Sequence, residues 1–384
     1  MKTKKKIKIA VSVLAAVVLV GILASGILWF PGKGETTDEF WLSTMPYRLE
    51  DTVILQKESG KDFKILNLAD IQLGDTLDIG KRAYTEETIR RLVEETKPDL
   101  ITLTGDQTWT GSQRLSVSYF VELMDSFQIP WAPVFGNHDG EGNVDKNWIA
   151  DRYMASEYCL FQKGPNNIGG VGNYIINIME GDKIVQSLIM MDSGQGREYP
   201  DDPDGTNPLY LYADELDGGA YVLNADGTRK QAQVGDNYEF ISETQIAWYK
   251  WAITGAAVAN GGEIPESIAF FHIALPEYHY AYLDWKAGGY DEAVGFGEKR
   301  EPVCCPKVNS GLFAVMQELG STENVVVGHD HVNNYSVLYK GIRLTYALKT
   351  GDRCYADADL NGGTLLTVTK DGVTTEHVYI TIEQ

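Results

Sequence analysis

Cysteine is scarce in this chain: four residues in 384, Cys159, Cys304, Cys305 and Cys354, with no C-x-x-C spacing. The fold therefore does not depend on a disulfide framework, and a cysteine metal knuckle is excluded, while one or two bridges remain open. Cationic side chains are also short, 33 against 54 acidic ones for a formal charge of −21, and no basic run follows the N-terminus. A nucleic-acid groove needs Lys and Arg clustered on one face, so that partner is excluded and polyanions in general are disfavoured. Internal repeats and low-complexity tracts are absent. Histidine numbers only six, so the places where it stands carry information.

What is present begins with an apolar N-terminal run. Five lysines lie in the first eight residues, and Ile9 to Phe30 follow without a charge. Those residues span about 33 Å as a helix, enough for a hydrocarbon core of about 30 Å. The spacing predicts a transmembrane anchor over 9–30, favoured over a cleaved signal peptide because its apolar core is long and no clean A-x-A site follows. The lysines of 1–8 stay on the cytoplasmic side, which puts everything after Pro31 outside. Residues 31–50 read as a linker and 51–384 as one large α/β domain, whose 43% hydrophobic content suits a sizeable core.

Within 51–384 a repeating order emerges: strands at 63–69, 100–104 and 131–135 alternate with helices at 86–95, 116–127 and near 148–156. This is βαβ order, hence a largely parallel sheet covered by helices. Strands at 173–179 and 185–191 follow, then a helix through "ETQIAWYKWAITGAAVA", a strand at 267–271, a helix at 309–318 and a strand at 324–327. The tail "LTVTKDGVTTEHVYI" predicts a hairpin around Asp371-Gly372, so a second sheet is expected. Residues 193–240, rich in Gly, Asp, Pro and Tyr, read as an insertion with a short hairpin at Asp226-Gly227, of the kind that walls a binding site.

The chemistry stands at strand ends. "ILNLADIQ" delivers Asp70 and Gln72, "LITLTGDQTW" Asp106, "APVFGNHDG" Asn137, His138 and Asp139, "IAFFHIALPE" His272, and "NVVVGHDHVN" His329 and His331. Carboxyl ends of strands in α/β sheets converge on one rim, where ligands bind. Taken singly, each block has an ordinary reading: a turn after Gly105, a polar turn at 137–140, a hydrogen-bonded core histidine at 272. Jointly, five distant segments bring Asp, Asn and four of the six histidines to one place. Asp70 and Gln72, like His329 and His331, are two apart, so in extended chain each pair points to one side.

This order of blocks resembles the calcineurin-like metallophosphoesterases, whose pattern runs D-x-H, G-D-x-x-D, G-N-H-D/E, a lone His and G-H-x-H. The resemblance covers about residues 60–350, and "FFHIALPE" with "KTGDRCY" is similar to the branch related to purple acid phosphatases. Two positions depart from the pattern: Gln72 stands for the first histidine, and Trp109 for Asp, or for the Tyr of true purple acid phosphatases. The resemblance implies a four-layer αββα sandwich with two mixed sheets and a centre for two metal ions. In it Asp106 is the shared ligand, Asp70, His331 and Gln72 face the first ion, and Asn137, His272 and His329 the second. Mixed nitrogen and oxygen donors suit Mn, Zn or Fe. His138 is then the general acid, oriented by Asp139, and Gln72 offers its carbonyl oxygen or a water to the first ion. The function implied is hydrolysis of a small-molecule or cell-surface phosphoester outside the membrane. Gln72 and Trp109 keep a second reading open, a surface protein that retains the fold and a metal without turnover.

Overall fold

The computed structural model describes residues 32–74, 79–109, 111–200, 207–214, 216–217 and 220–381. Two mixed β-sheets carry the fold. One has five strands in the order Gly372–Tyr379, Gly362–Thr369, Phe63–Leu68, Leu100–Thr104, Trp131–Val134, the last three parallel. The other has eight, in the order Val53–Gln56, Tyr174–Glu180, Lys183–Met190, Glu266–Phe270, Thr322–Val327, Ile342–Tyr346, Ser336–Tyr339, Gly295–Phe296. From Lys183–Met190 to Ile342–Tyr346 neighbours run parallel.

Every residue of Leu100–Thr104 is buried, as a parallel strand covered on both faces must be. One core joins side chains of both sheets, Ile65, Leu103 and Val134 from the first with Leu188, Phe270 and Val326 from the second, and so fills the space between them. Helix Ile79–Thr96 packs on the first sheet, and helices Glu243–Ala259, Glu277–Ala287 and Leu312–Leu319 on the second. A separate core on that outer face holds Trp248, Tyr249, Phe271, Phe313 and Val325. The result is a layered α/β sandwich.

Several boundaries differ from expectation for local reasons. The helix expected at 86–95 starts earlier, as Ile79–Thr96, with Thr85 buried inside it. Residues 32–47, expected as linker, lie on the domain: Gly32 N–H donates to the Asn143 carbonyl, Trp41 is buried, and the Trp251 indole donates to the Met45 carbonyl. All four cysteines are free. The expected anchor at 9–30 lies outside the described residues, and among the described ones no helix is long and apolar enough to cross a membrane.

Candidate metal centre

The strand ends meet where the two sheets share a rim. Phe63–Leu68, Leu100–Thr104 and Trp131–Val134 deliver Asp70, Gln72, Asp106 and Asn137 to Asp139; Glu266–Phe270 and Thr322–Val327 deliver His272, His329 and His331. Approach is close enough to demand glycine: a Cβ on Gly136 would overlap the Asp106 carboxylate, and one on Gly328 would sit 2.6 Å from Asp70 Oδ2. Four of the residues brought here hold left-handed backbone, Asp70 (φ 49°), Gln72 (45°), Asp106 (53°) and His329 (75°). Such conformations cost about 1–3 kcal/mol each where the surroundings impose them, and they cluster at functional sites. Ser193 Oγ accepts from the backbone N–H groups of His272 and Ile273, fixing the end of Glu266–Phe270.

Hydrogen bonds set the imidazole tautomers. His272 Nδ1 donates to the Thr104 carbonyl at 2.7 Å and His331 Nδ1 to the Tyr355 carbonyl at 3.0 Å. A carbonyl only accepts, so both rings carry Nδ1–H and turn Nε2 inward, the nitrogen left for a metal. His272 Nε2 lies 2.9 Å from Asn137 Oδ1, 3.2 Å from His329 Nδ1 and 3.6 Å from Asp106 Oδ1. On the other side His331 Nε2 is 3.4 Å from Asp70 Oδ1. Ligand atoms of Asp70, Asp106 and His272 lie within 4.8 Å of one another, all three residues buried.

These residues fit a cation. Asp70 Oδ1 and His329 Nε2 are buried with no hydrogen-bond partner, and two carboxylates in one dry site need compensating positive charge. Burial alone would raise both carboxyl pKa values. Positive charge carried by neighbouring side chains, His331, His272 and Lys349 near Asp70 and His272 near Asp106, outweighs burial and lowers both pKa values. His329 is pushed down to about 3, by burial and then by His272, so it too stands as a neutral donor.

Two expected roles need correction in their contacts. Asp139 does not touch the His138 ring. It accepts from the backbone N–H groups of Asp106 and Gly136, both at 2.9 Å, tying two strand ends together. Burial, with Asp106 nearby, pushes its pKa up to about 7. The His138 ring is held by Glu141, with Nδ1 and Oε2 2.6 Å apart, and leans on Trp109 with centroids 5.3 Å apart. Gln72 does reach the centre, but its carbonyl oxygen accepts from Lys349 Nζ at 2.9 Å, and the amide nitrogen faces Asp106 and His331. Sequence reasoning missed Lys349, Glu141 and Tyr238, whose ring meets His329 edge-on at 4.5 Å from inside the insertion. The one available signal was position: Lys349 begins the "KTGD" that follows an apolar strand, as the ligand blocks do.

The sequence pattern of the calcineurin-like phosphoesterases matches residues 63–333. The chain is 26% identical over 329 residues to a protein named probable inactive purple acid phosphatase 14 of Arabidopsis thaliana, covering 76% of this chain and 71% of that one. It is 29% identical over 314 residues to the phosphatase DCR2 of Saccharomyces cerevisiae, covering 77% of this chain and spanning just 47% of that protein's length. Among solved structures, a dimetal phosphatase from Danio rerio aligns over 82% of this chain and 95% of its own at 13% identity, with a TM-score of 0.48. With the family pattern covering most of the chain and its blocks meeting at one rim, this protein belongs to the calcineurin-like phosphoesterases.

Proposed function

We propose that this chain hydrolyses a phosphoester at a centre with two metal positions, on the outer side of a membrane to which residues 9–30 anchor it. The observation that carries the reading is the pair of buried carboxylates, Asp70 and Asp106, among inward-facing histidine nitrogens, with a tethered histidine beside them. Asp106 turns Oδ1 toward His272 and Oδ2 toward Gln72, which suits a ligand shared between positions. Asn137, His272 and His329 would complete one, Asp70 and His331 the other, with Mn, Zn or Fe matching these donors. Bound there, such ions polarise a phosphoryl oxygen and lower the pKa of a water.

The chain's own residues do the rest. Glu141 occupies Nδ1 of His138, which leaves Nε2–H as the proton donor to the leaving-group oxygen, a contribution of about two to four orders of magnitude. Burial works against the protonated ring, but Asp106 and Glu141 outweigh it and raise its pKa, so the acid form persists to higher pH. Tyr238 forms a wall at His329, giving the insertion a place in substrate selection. Small-molecule or cell-surface phosphoesters are the substrates this predicts. The full chain loaded with Mn, Zn or Fe should hydrolyse a chromogenic phosphoester, and chelation should abolish turnover. A relative named as inactive, together with the orientation of Gln72, favours one rival, a metal-binding protein without turnover. Bound metal without cleavage of any ester under any loading would establish that rival.

A further inference from the structure

Lys349 is a buried lysine, 2% exposed, with no carboxylate within ion-pair distance of its Nζ among the described residues. Its Nζ instead donates to the Asp70 carbonyl and to Gln72 Oε1, both at 2.9 Å. The backbone leaves it little freedom. Lys349 pairs with Ala69 in a parallel bridge, Thr350 N–H donates to the Ala69 carbonyl at 2.8 Å, and Gly351 lies so close to the Ile71 carbonyl that a Cβ would overlap it. The segment is clamped along the same residues that present Asp70 and Gln72.

An ammonium only donates, so it dictates which end of the Gln72 amide faces it. Turning the amide round would set its NH2 against the Lys349 NH3+. The amide nitrogen therefore stays 3.3 Å from Asp106 Oδ2 and 3.3 Å from His331 Nε2. It donates to those atoms and has no lone pair to give a cation. Gln72 itself is fixed by its left-handed backbone and by its N–H bond to the Asp106 carbonyl at 2.8 Å.

Resting on the metal-dependent reading above, we propose that Lys349, acting through Gln72, makes the two metal positions unequal. It withholds the amide oxygen from the first position and places an N–H between two of that position's ligands. The position is left with Asp70, Asp106 and His331 and with a positive charge one amide away, so a divalent ion is held there weakly. Among the described residues no lysine or arginine is hydrogen-bonded to Asn137, His272 or His329, and the position they build with Asp106 holds its ion more tightly. Lys349 is thus a positioning residue: it sets metal occupancy without touching an ion.

Titration of the metal-stripped full chain with Mn2+, followed by calorimetry and electron paramagnetic resonance, tests this without reference to activity. Wild type should bind one ion tightly and a second at least about tenfold more weakly, the usual scale for a residue that acts behind a ligand. At one equivalent its spectrum should be that of an isolated ion. Gln72→Glu keeps an oxygen on Lys349 and turns another inward. It should tighten the second ion about tenfold or more and give an exchange-coupled spectrum at two equivalents, with the first ion unchanged. Lys349→Met frees the amide to rotate and should act in the same direction, whereas Gln72→Ala, which adds no ligand, should not. Should Lys349→Met not fold, the Glu variant decides alone. Two equal sites in wild type, or no gain from the inward oxygen, would overturn the inference while leaving the phosphoesterase reading intact; no binding of Mn2+, Zn2+ or Fe2+ would overturn both.

Discussion

A single imidazole can be a ligand or an acid, and its second nitrogen decides which. His272 and His331 spend Nδ1–H on backbone carbonyls and so turn Nε2 to the centre. His138 spends Nδ1 on a carboxylate, Glu141, which stabilises the charged ring. Replacing His138 by Ala should therefore lower kcat by about two to four orders of magnitude with metal content near normal, whereas Asp106→Ala should lower metal content itself. A role for Glu141 separates orientation from mere packing through pH. His138 acts in its protonated form and its pKa is raised in the fold, so activity is present below that pKa and falls as pH rises through it. Glu141→Gln removes one of the charges that raise it, so the alkaline limb of the pH–rate profile should move to lower pH. An unmoved limb would mean that His138 is not the acid.

Elements differ in how plainly they announce themselves. Leu100–Thr104 carries Leu, Ile and Leu with two β-branched threonines, and Glu243–Ala259 begins with a capping box at Ser242 and Gln245, so both were legible to the residue. Helix Glu277–Ala287 was not, because "EYHYAYLDWKA" is aromatic and polar all round and shows no clear stripe. Nor were Ser336–Tyr339 and Ile342–Tyr346, a hairpin whose turn, Lys340-Gly341, has positive φ at both residues and hid behind the preceding histidine block. The residues that meet at the rim were readable because each follows an apolar strand. The partners that aim them were not, because Lys349, Glu141 and Lys146 look in sequence like surface charges. Lys146, at the start of helix Lys146–Met154, forms a buried pair with Asp192, at the end of Lys183–Met190, its Nζ 2.9 Å from Oδ1. The pair joins the loop after His138 to the opposite sheet. Lys146→Met strands a buried carboxylate and should cost about 3–5 kcal/mol, read as a lower urea midpoint with unchanged m-value; a change under 1 kcal/mol would show that the pair is idle.

At the scale of the whole molecule, charge and topology point the same way. An acidic chain of formal charge −21 carries five of its 33 basic residues in the first eight positions. If residues 9–30 anchor the chain as proposed, the lysines before the run stay in the cytoplasm and the acidic body lies on the far side. Gly32 exchanges backbone hydrogen bonds with Asn143 and Asp145 in the loop that follows His138 and Glu141. An anchor ending near residue 30 would therefore emerge beside the loop carrying the proposed acid and hold that side of the rim close to the bilayer. This arrangement predicts that the protein sediments with membranes, withstands high salt and is released by detergent. Protease added to intact cells should remove the phosphoesterase domain. Release by salt alone would argue against a spanning helix, and full protection of the domain from protease would place it on the cytoplasmic side and reverse the orientation proposed for it.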